Sequence, residues 1–186
     1  MKYFLLYVLA FFLVFFTSNA QEKFSFNSQN TIGLLEGGNG SAFQLNTING
    51  IAHKKWFAGL GTGIDYYYIR SIPAFLSVNY NFLHQKRTPF ISLDAGINFP
   101  WVKKEREIWN VINSEFTPSL YMGGNVGYKL GLKNNDALLI LVGYSFKKLK
   151  EKREMQTFCI NPPCPTTIEK YDYNLKRLSL RLGYQF

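Results

Sequence analysis

The sequence alternates between apolar residues and polar or small residues along several segments, and this period of two constrains the fold more than any other feature. The clearest segment begins at Trp56, where one parity carries Trp56, Ala58, Leu60, Thr62, Ile64, Tyr66 and Tyr68. The opposite parity carries Phe57, Gly59, Gly61, Gly63, Asp65 and Tyr67. Because successive side chains of a strand point to opposite faces, this pattern predicts a β-strand with two unlike faces.

The same alternation recurs along the chain. It is clear over residues 76–82, 91–99, 120–130, 138–146 and 178–186, and weaker over 30–36 and 41–52. Together with the segment from Trp56, these predict eight strands and an all-β protein.

The less apolar face of these strands distinguishes a soluble sandwich from a membrane barrel. It carries many Gly, Ser and Asn residues and a set of ionisable groups: Asp65, Asp94, Lys129, Arg177 and Arg181. A soluble core rejects such charges unless they are paired. An apolar face toward lipid and a polar face toward a lumen is typical of transmembrane barrels with an even strand number. We therefore expect an eight-stranded antiparallel up-and-down transmembrane β-barrel.

The spacing of aromatic residues agrees with a membrane-spanning strand. Trp56 and Tyr66 lie ten residues apart on one face, and ten tilted strand residues rise roughly 25 Å, the height of the apolar band between two aromatic girdles. After residue 20 the longest unbroken apolar run is Ala137 to Val142, six residues. A spanning helix needs about 20, which excludes a helical membrane protein.

The first 20 residues predict an export signal. Lys2 supplies a positive start, Tyr3 to Phe16 form an apolar stretch, and Thr17 to Ala20 end in small residues suited to cleavage after Ala20. An uncleaved helical anchor is the alternative. The expected organisation is a signal peptide over 1–20 and a barrel domain over 21–186.

Loop lengths predict the orientation of the barrel. If the first strand runs outward, short turns at 53–55, 83–88 and 133–136 face the periplasm. The connections at 37–40, 69–72, 100–116 and 147–172 then face outward. Short turns on one side and long loops on the other are typical of outer-membrane barrels.

The pattern resembles the small eight-stranded outer-membrane barrels, the group of OmpA-barrel and OmpX-like proteins often described as porin-family barrel domains. The most specific element is the C-terminal alternation of Leu178, Leu180, Leu182, Tyr184 and Phe186. The resemblance implies that Leu182, Tyr184 and Phe186 form the signal read by the barrel-assembly machinery. It also implies a monomer in the outer membrane of a Gram-negative-type bacterium, surrounded by lipid and lipopolysaccharide.

An eight-stranded barrel is just wide enough for its own side chains, so an open pore is not expected. The predicted filling comes from Phe57, Tyr67, Phe75, Phe90, Leu139 and Leu141. Within the lumen, Arg177 and Arg181 are expected to donate to Asp94 or Asp65. A proton or ion path through these charges is the alternative interpretation.

The function predicted from this pattern is non-enzymatic: a structural or surface-interaction role. The alternatives are a barrel enzyme that modifies lipid A and a narrow ion channel. Nucleophilic catalysis by Ser needs a nearby base, but His53 and His84 both fall on predicted periplasmic turns. Asp172 and Glu169 leave the enzyme alternative open. We predict no catalytic residue, cofactor or metal site, and no nucleic-acid partner.

The two longest predicted loops carry the candidate interaction residues: Trp101, Trp109, Lys148, Lys150, Lys152 and Arg153. In the segment 101–112, Trp101, Ile108 and Ile112 have a spacing that suits an amphipathic interfacial helix, and an extension of the barrel strands fits as well. The segment 147–170 holds six basic and three acidic residues. It is expected either to meet lipid phosphates or acidic glycans or to be an ordinary solvated loop. An extracellular ligand or partner protein stays unidentified at this stage.

The chain has two cysteines, Cys159 and Cys164, in a proline-rich stretch of the last long loop. Export to an oxidising compartment favours a local disulfide between them. Free thiols are the alternative. A zinc site would need further ligands, and both histidines lie elsewhere in the chain.

Overall fold

The computed structural model describes residues 24–101, 111–132, 136–156 and 164–186. The predicted signal peptide, Trp109 and Cys159 lie outside these residues. The described residues form nine strands: β1 Ser25–Gly37, β2 Gly40–His53, β3 Trp56–Asp65, β4 Ser71–Asn81, β5 Arg87–Pro100, β6 Val111–Thr117, β7 Ser119–Gly131, β8 Ala137–Gln156 and β9 Thr166–Gln185. Within these ranges, no helix has the length and apolar character needed to cross a membrane.

Eight of the strands form a closed barrel. Each of β1 to β5, β7, β8 and β9 is antiparallel to its neighbours, and β9 pairs with both β8 and β1. Closure leaves no free edge among these strands, as a lipid environment requires. The predicted eight-stranded antiparallel barrel is confirmed.

The ninth strand, β6, lies outside the ring and pairs with the far part of β8 from Thr117↔Lys150 to Val111↔Met155. Pro118 separates β6 from β7, and proline cannot donate to a strand ladder. The described part of the predicted loop 100–116 is thus mostly β-strand. The alternative of an amphipathic helix over 101–112 falls mainly on residues 102–110, which lie outside the described ranges.

The second long loop was predicted wrongly at its boundaries. Strands β8 and β9 have 20 residues each and stay paired from Ala137↔Gln185 to Gln156↔Thr166. Most of the predicted loop 147–172 is thus a hairpin that extends beyond the ring of shorter strands. The alternation continues past Phe146, but lysines replace apolar residues on the outward face, so an apolar criterion ends the strand too early.

The two ends of the barrel differ. At the turn end, β2 and β3 are joined by two residues, including Lys54 at φ 55°. The β4–β5 and β7–β8 connections also lie there. At the loop end, β1 and β2 are joined by residues 38 and 39, and β3 and β4 by residues 66–70, with Tyr68 at φ 65°. The structure therefore confirms the prediction that the connections near 53–55, 83–88 and 133–136 lie at one end of the barrel and the other connections at the opposite end.

The outward face of the ring is apolar, with aromatic side chains toward both ends. Exposed aromatics at the turn end are Phe24, Phe26, Trp56, Phe82, Tyr128, Tyr184 and Phe186, and those at the loop end are Phe43, Tyr66, Phe99, Trp101 and Tyr144. Leu60, Leu76, Leu93, Val126, Val142 and Leu180 lie between them, all exposed. This distribution matches an apolar band flanked by two aromatic girdles.

Candidate functional site

The barrel interior holds a first ion cluster at the loop end, centred on Asp65, the last residue of β3. Its carboxylate forms an ion pair with Arg177 of β9 and lies 3.5 Å from the ammonium of Lys147 in β8. All three side chains are fully buried. The other carboxylate oxygen accepts a hydrogen bond of 2.8 Å from the backbone N–H of Tyr67. Asp65 therefore joins β3, β8 and β9 across the lumen.

Lys147 was missed by sequence reasoning because it falls in the predicted loop. In the structure its ammonium donates to Ser71 Oγ at 2.7 Å and to the carbonyl of Tyr67 at 3.2 Å. The signal that could have found it is parity, because Lys147 shares the inward parity of Leu139 and Leu141. Arg177 completes the cluster by lying over the ring of Tyr67, 5.4 Å from its centroid.

A second ion cluster surrounds Asp94 of β5, deeper in the lumen. Arg181 of β9 approaches its Oδ2 atom at 3.6 Å. Ser77 Oγ donates to Oδ1 at 2.7 Å, and Asn125 Nδ2 donates to Oδ2 at 3.1 Å. The carboxylate is thus held by neutral donors on both sides as well as by one cation, which satisfies a buried charge.

Lys129 is the exception among the predicted lumen charges. It faces inward, but it belongs to neither ion cluster and lines a separate cavity at the turn end with Asn79 and Gln185. Parity alone fixes the face on which a residue lies and not its height in the barrel. The predicted network of five charges is corrected to two clusters and one separate lysine.

The lumen glycines leave room for large inward side chains. A Cβ atom at Gly61 would collide with the ring of Phe75, and one at Gly127 with the ring of Phe90. The predicted interior residues Phe57, Tyr67, Phe75, Phe90, Leu139 and Leu141 are all buried. The inward face of the strands therefore supplies both the charged side chains and, through its glycines, the space for the large aromatic side chains beside them.

Beyond the ring, the inner face of the outer hairpin carries a third polar cluster, built on Glu151. Its carboxylate accepts two hydrogen bonds from Arg153 at 2.7 and 2.8 Å, one from Ser114 of β6 at 2.7 Å and one from Tyr173 of β9 at 3.1 Å. The guanidinium of Arg153 also lies over the ring of Tyr171, 4.5 Å from its centroid. The cluster therefore holds β6, β8 and β9 together outside the barrel.

The hydrogen bonds of this cluster control the ionisation of Glu151. Burial raises the pKa of its carboxyl, but the hydrogen bonds that it accepts, led by those from Arg153, outweigh this effect and lower the pKa below its ordinary value. The pKa of Tyr173 is raised, first by burial and then by hydrogen bonds with Tyr68 and Glu151. A charged Glu151 and a neutral Tyr173 are thus the favoured forms.

The outer face of the same hairpin carries more basic than acidic residues; its acidic residues are Glu154 and Asp172, which stands directly opposite Lys150. Lys148, Lys150 and Lys152 alternate along β8 just after Phe146, and Lys170 and Lys176 lie on β9. Lys170 stands directly opposite Lys152, and Lys176 opposite Phe146. Lys152 pairs with Glu154 at 3.6 Å. Arg153, predicted with these lysines as a loop residue, lies on the inner face instead because its parity is opposite.

The remaining predicted site residues have the following positions. Trp101 is exposed at the loop end beneath the guanidinium of Arg70, which lies 4.1 Å from its ring centroid. Cys164 is disulfide-bonded, but Cys159 lies outside the described residues, so the pairing stays a prediction. Within the described ranges, no cluster of three or more His, Cys, Asp or Glu side chains could hold a metal ion.

The candidate assembly signal lies on the outward face of β9. Leu182, Tyr184 and Phe186 are all exposed, and the backbone of Phe186 exchanges hydrogen bonds of 2.8 and 3.0 Å with Ser28 at the start of β1. The last residues thus close the barrel seam while their side chains face outward. Recognition by an assembly machinery stays a prediction.

No family model matches the sequence, and no curated protein sequence is similar to it. Solved structures do match. Neisserial surface protein A is 12% identical with a TM-score of 0.53, and the match covers 88% of this chain and 98% of that one. OprG from Pseudomonas aeruginosa is 13% identical with a TM-score of 0.53, over 89% and 96%. The N-terminal β-barrel domain of OprF from the same organism is 8% identical with a TM-score of 0.50, over 86% and 97%. The chain therefore has the fold of the small eight-stranded outer-membrane β-barrels.

Proposed function

We propose that this chain is a non-enzymatic barrel in the outer membrane of a Gram-negative-type bacterium, and that its outer hairpin binds the phosphate groups of lipopolysaccharide. The observation that carries the proposal is the position of the basic outer face. On β8 the outward apolar residues end at Phe146, and Lys148, Lys150 and Lys152 follow at once. Lipid phosphates lie at this height, immediately beyond the apolar band.

The pairing of the hairpin supports an anionic ligand. Lys148, Lys150, Lys170 and Lys176 make no ion pair with any residue in the described ranges. Lys152 and Lys170 are direct cross-strand partners, and like charges in such positions destabilise a sheet. A phosphate between these side chains would relieve the repulsion. The residues that the sequence predicted as a loop surface are therefore held by strand pairing in a fixed array.

The rigid base of the hairpin supports the same proposal. The Glu151 cluster fixes the inner face, so the lysines of the outer face keep their spacing without a ligand. A preformed array loses less conformational entropy on binding than a free loop would. The barrel then acts as an anchor, and the hairpin is the interacting part.

The test compares two triple variants of equal charge. One replaces Lys148, Lys150 and Lys152 by Gln, and the control replaces Lys54, Lys55 and Lys86 at the turn end. Binding of bisphosphorylated lipid A to the purified barrel in zwitterionic detergent is measured by calorimetry at low ionic strength. At about 1 kcal/mol for each lysine near a charged surface, the hairpin variant should bind at least roughly tenfold more weakly. Equal losses of affinity in both variants would reject the proposal. Equal affinities of the unsubstituted barrel for lipid A and for dephosphorylated lipid A would also reject it.

The proposal that the barrel is not an enzyme has a separate test. His53 ends β2 and His84 lies in the β4–β5 turn, so both are at the end opposite the hairpin. A hydrolase or acyltransferase acting at the outer leaflet would need a base at the loop end. Mass spectra of lipid A from cells with and without the protein should be identical. An altered acyl pattern would replace the proposal by the enzymatic alternative.

A further inference from the structure

The turn end of the lumen contains a cation that has no partner among the described residues. Lys129 of β7 is half-buried, and it makes neither a hydrogen bond nor an ion pair within the described part of the chain. Both lumen carboxylates are engaged elsewhere, Asp65 by Arg177 and Asp94 by Arg181. Withdrawing an ammonium from water without a counter-charge is unfavourable, so the surroundings of Lys129 decide what stabilises it.

Those surroundings are rich in amide groups. Lys129 lines a cavity with an empty volume of about 280 Å³, including its opening, together with Asn27, Gln29, Asn79, Asn81 and Gln185. The rings of Phe57 and Phe90 also line it. The described residues that line this cavity include no carboxylate. The space left for solvent is narrow, enough for one or two groups of the size of water.

The amides are ordered so that a donor is left for a ligand. Asn79 Nδ2 donates to Gln29 Oε1 at 3.1 Å, and Gln29 Nε2 donates to Gln185 Oε1 at 3.3 Å. In this series of hydrogen bonds the Oε1 atom of Gln185 already accepts one hydrogen bond, and the NH₂ group of Gln185 remains available to donate. A free amide donor and a free ammonium in one cavity are the groups that bind an anion.

A second cavity, at the turn end, shares Lys129 with the first. It has a volume of about 490 Å³ and lies between the β4–β5 turn and the β7–β8 connection, lined also by His84, Lys86 and Asp136. Asp136, the carboxylate among these residues, accepts a hydrogen bond of 2.7 Å from the Tyr184 hydroxyl. Lys129 therefore lies between the lumen cavity and an opening that carries a second lysine.

We propose that Lys129 and Gln185 form a binding site for a small monovalent anion, a halide or the carboxylate of a small molecule, which enters from the turn end. The narrow space suits a halide, or the two oxygen atoms of a carboxylate whose remaining atoms point toward the turn end. The single ammonium suits a single charge. The site is separate from the phosphate-binding hairpin proposed above, which lies at the other end of the barrel. Failure of either proposal leaves the other intact.

The experiment follows the lysine side chains by NMR in protein labelled with ¹³C at the Cε position of lysine. Sodium chloride and sodium acetate are titrated separately at constant ionic strength, which is held with a bulky sulfonate buffer. The Lys129 resonance is assigned from its loss in Lys129→Arg. Lys55 lies at the same end of the barrel but lines neither cavity, and its ammonium donates to the carbonyl of Phe82. Its resonance, assigned from its loss in Lys55→Arg, is the internal control for non-specific ion effects.

A saturable shift of the Lys129 resonance, with no saturation at Lys55, is the expected result. Gln185→Leu should weaken the interaction at least threefold. The variant should stay folded, which is checked by a heat-dependent gel shift, the change in electrophoretic mobility when a folded barrel is unfolded by heating. Saturation with chloride alone identifies a halide site, and saturation with acetate identifies a carboxylate site. The proposal is overturned if Lys129 responds like Lys55 to both salts.

Discussion

Asp65 and Arg177 form an ion pair inside the barrel although 112 positions separate them in the sequence. Asp65 ends β3, and Arg177 lies in β9 on the other side of the lumen. The same carboxylate holds Lys147, so one anion balances two buried cations. This arrangement concentrates much of the interior electrostatic energy on a single side chain.

The first prediction concerns that side chain. Asp65→Asn keeps the shape and the acceptor for the Tyr67 N–H, but leaves Arg177 and Lys147 buried without a counter-charge. Breaking a buried pair in this way costs about 3–5 kcal/mol. Urea unfolding in detergent micelles and the heat-dependent gel shift should both report it. Glu154→Gln, which removes an exposed pair, is the control and should cost at most about 1 kcal/mol.

The second prediction concerns Arg181. Arg181→Ala should lower heat stability by less than Asp65→Asn, roughly 1–3 kcal/mol. Its partner Asp94 keeps the hydrogen bonds from Ser77 and Asn125. The loss is measured by the temperature of the gel shift. An unchanged temperature would show that this pair contributes nothing to the barrel.

These two clusters show what the sequence can and cannot predict. Parity placed Arg177 and Arg181 on the inward face, because a closed barrel keeps the period of two around the whole ring. Which carboxylate each meets depends on strand stagger, which no local pattern encodes, and the same stagger places Lys129 away from both. Lys147 was missed because strands were recognised in the sequence only where the outward face is apolar. Above the membrane the outward face is solvated, so that requirement does not hold.

The third prediction tests the space left by the lumen glycines. Gly61→Val should destabilise the barrel by about 1–3 kcal/mol, because its side chain would overlap the Phe75 ring. Gly38→Val is the matched control, because a Cβ atom there has no neighbour within 4 Å. Phe75→Leu combined with Gly61→Val should recover part of the loss. Equal stability of the two glycine variants would contradict the steric explanation.

The fourth prediction concerns pH at the outer hairpin. The pKa of Glu151 is lowered in the folded state, so its contribution to stability is present above the ordinary carboxyl pKa and is lost as pH falls through the folded value. The amide protection factors of β6, corrected for the pH dependence of the intrinsic exchange rate, should therefore fall between neutral and strongly acidic pH, while those within the ring change little. In Glu151→Gln, the protection factors of β6 should be low at both pH values. Retention of the acid-induced change in that variant would assign the effect to another group.

The fifth prediction separates assembly from stability at the C-terminus. The side chain of Phe186 is 56% exposed, whereas its backbone pairs with Ser28. Phe186→Ala should therefore change the unfolding free energy of the refolded barrel no more than Phe82→Ala does, because both side chains lie on the outward face at the turn end. If the terminal aromatic is read by an assembly machinery, the amount of folded barrel in the outer membrane of cells should fall several-fold. Phe82→Ala removes an aromatic of similar exposure (45%) from the same end of the barrel. An equal fall in both variants would mean that the girdle as a whole, and not the C-terminal residue, determines insertion.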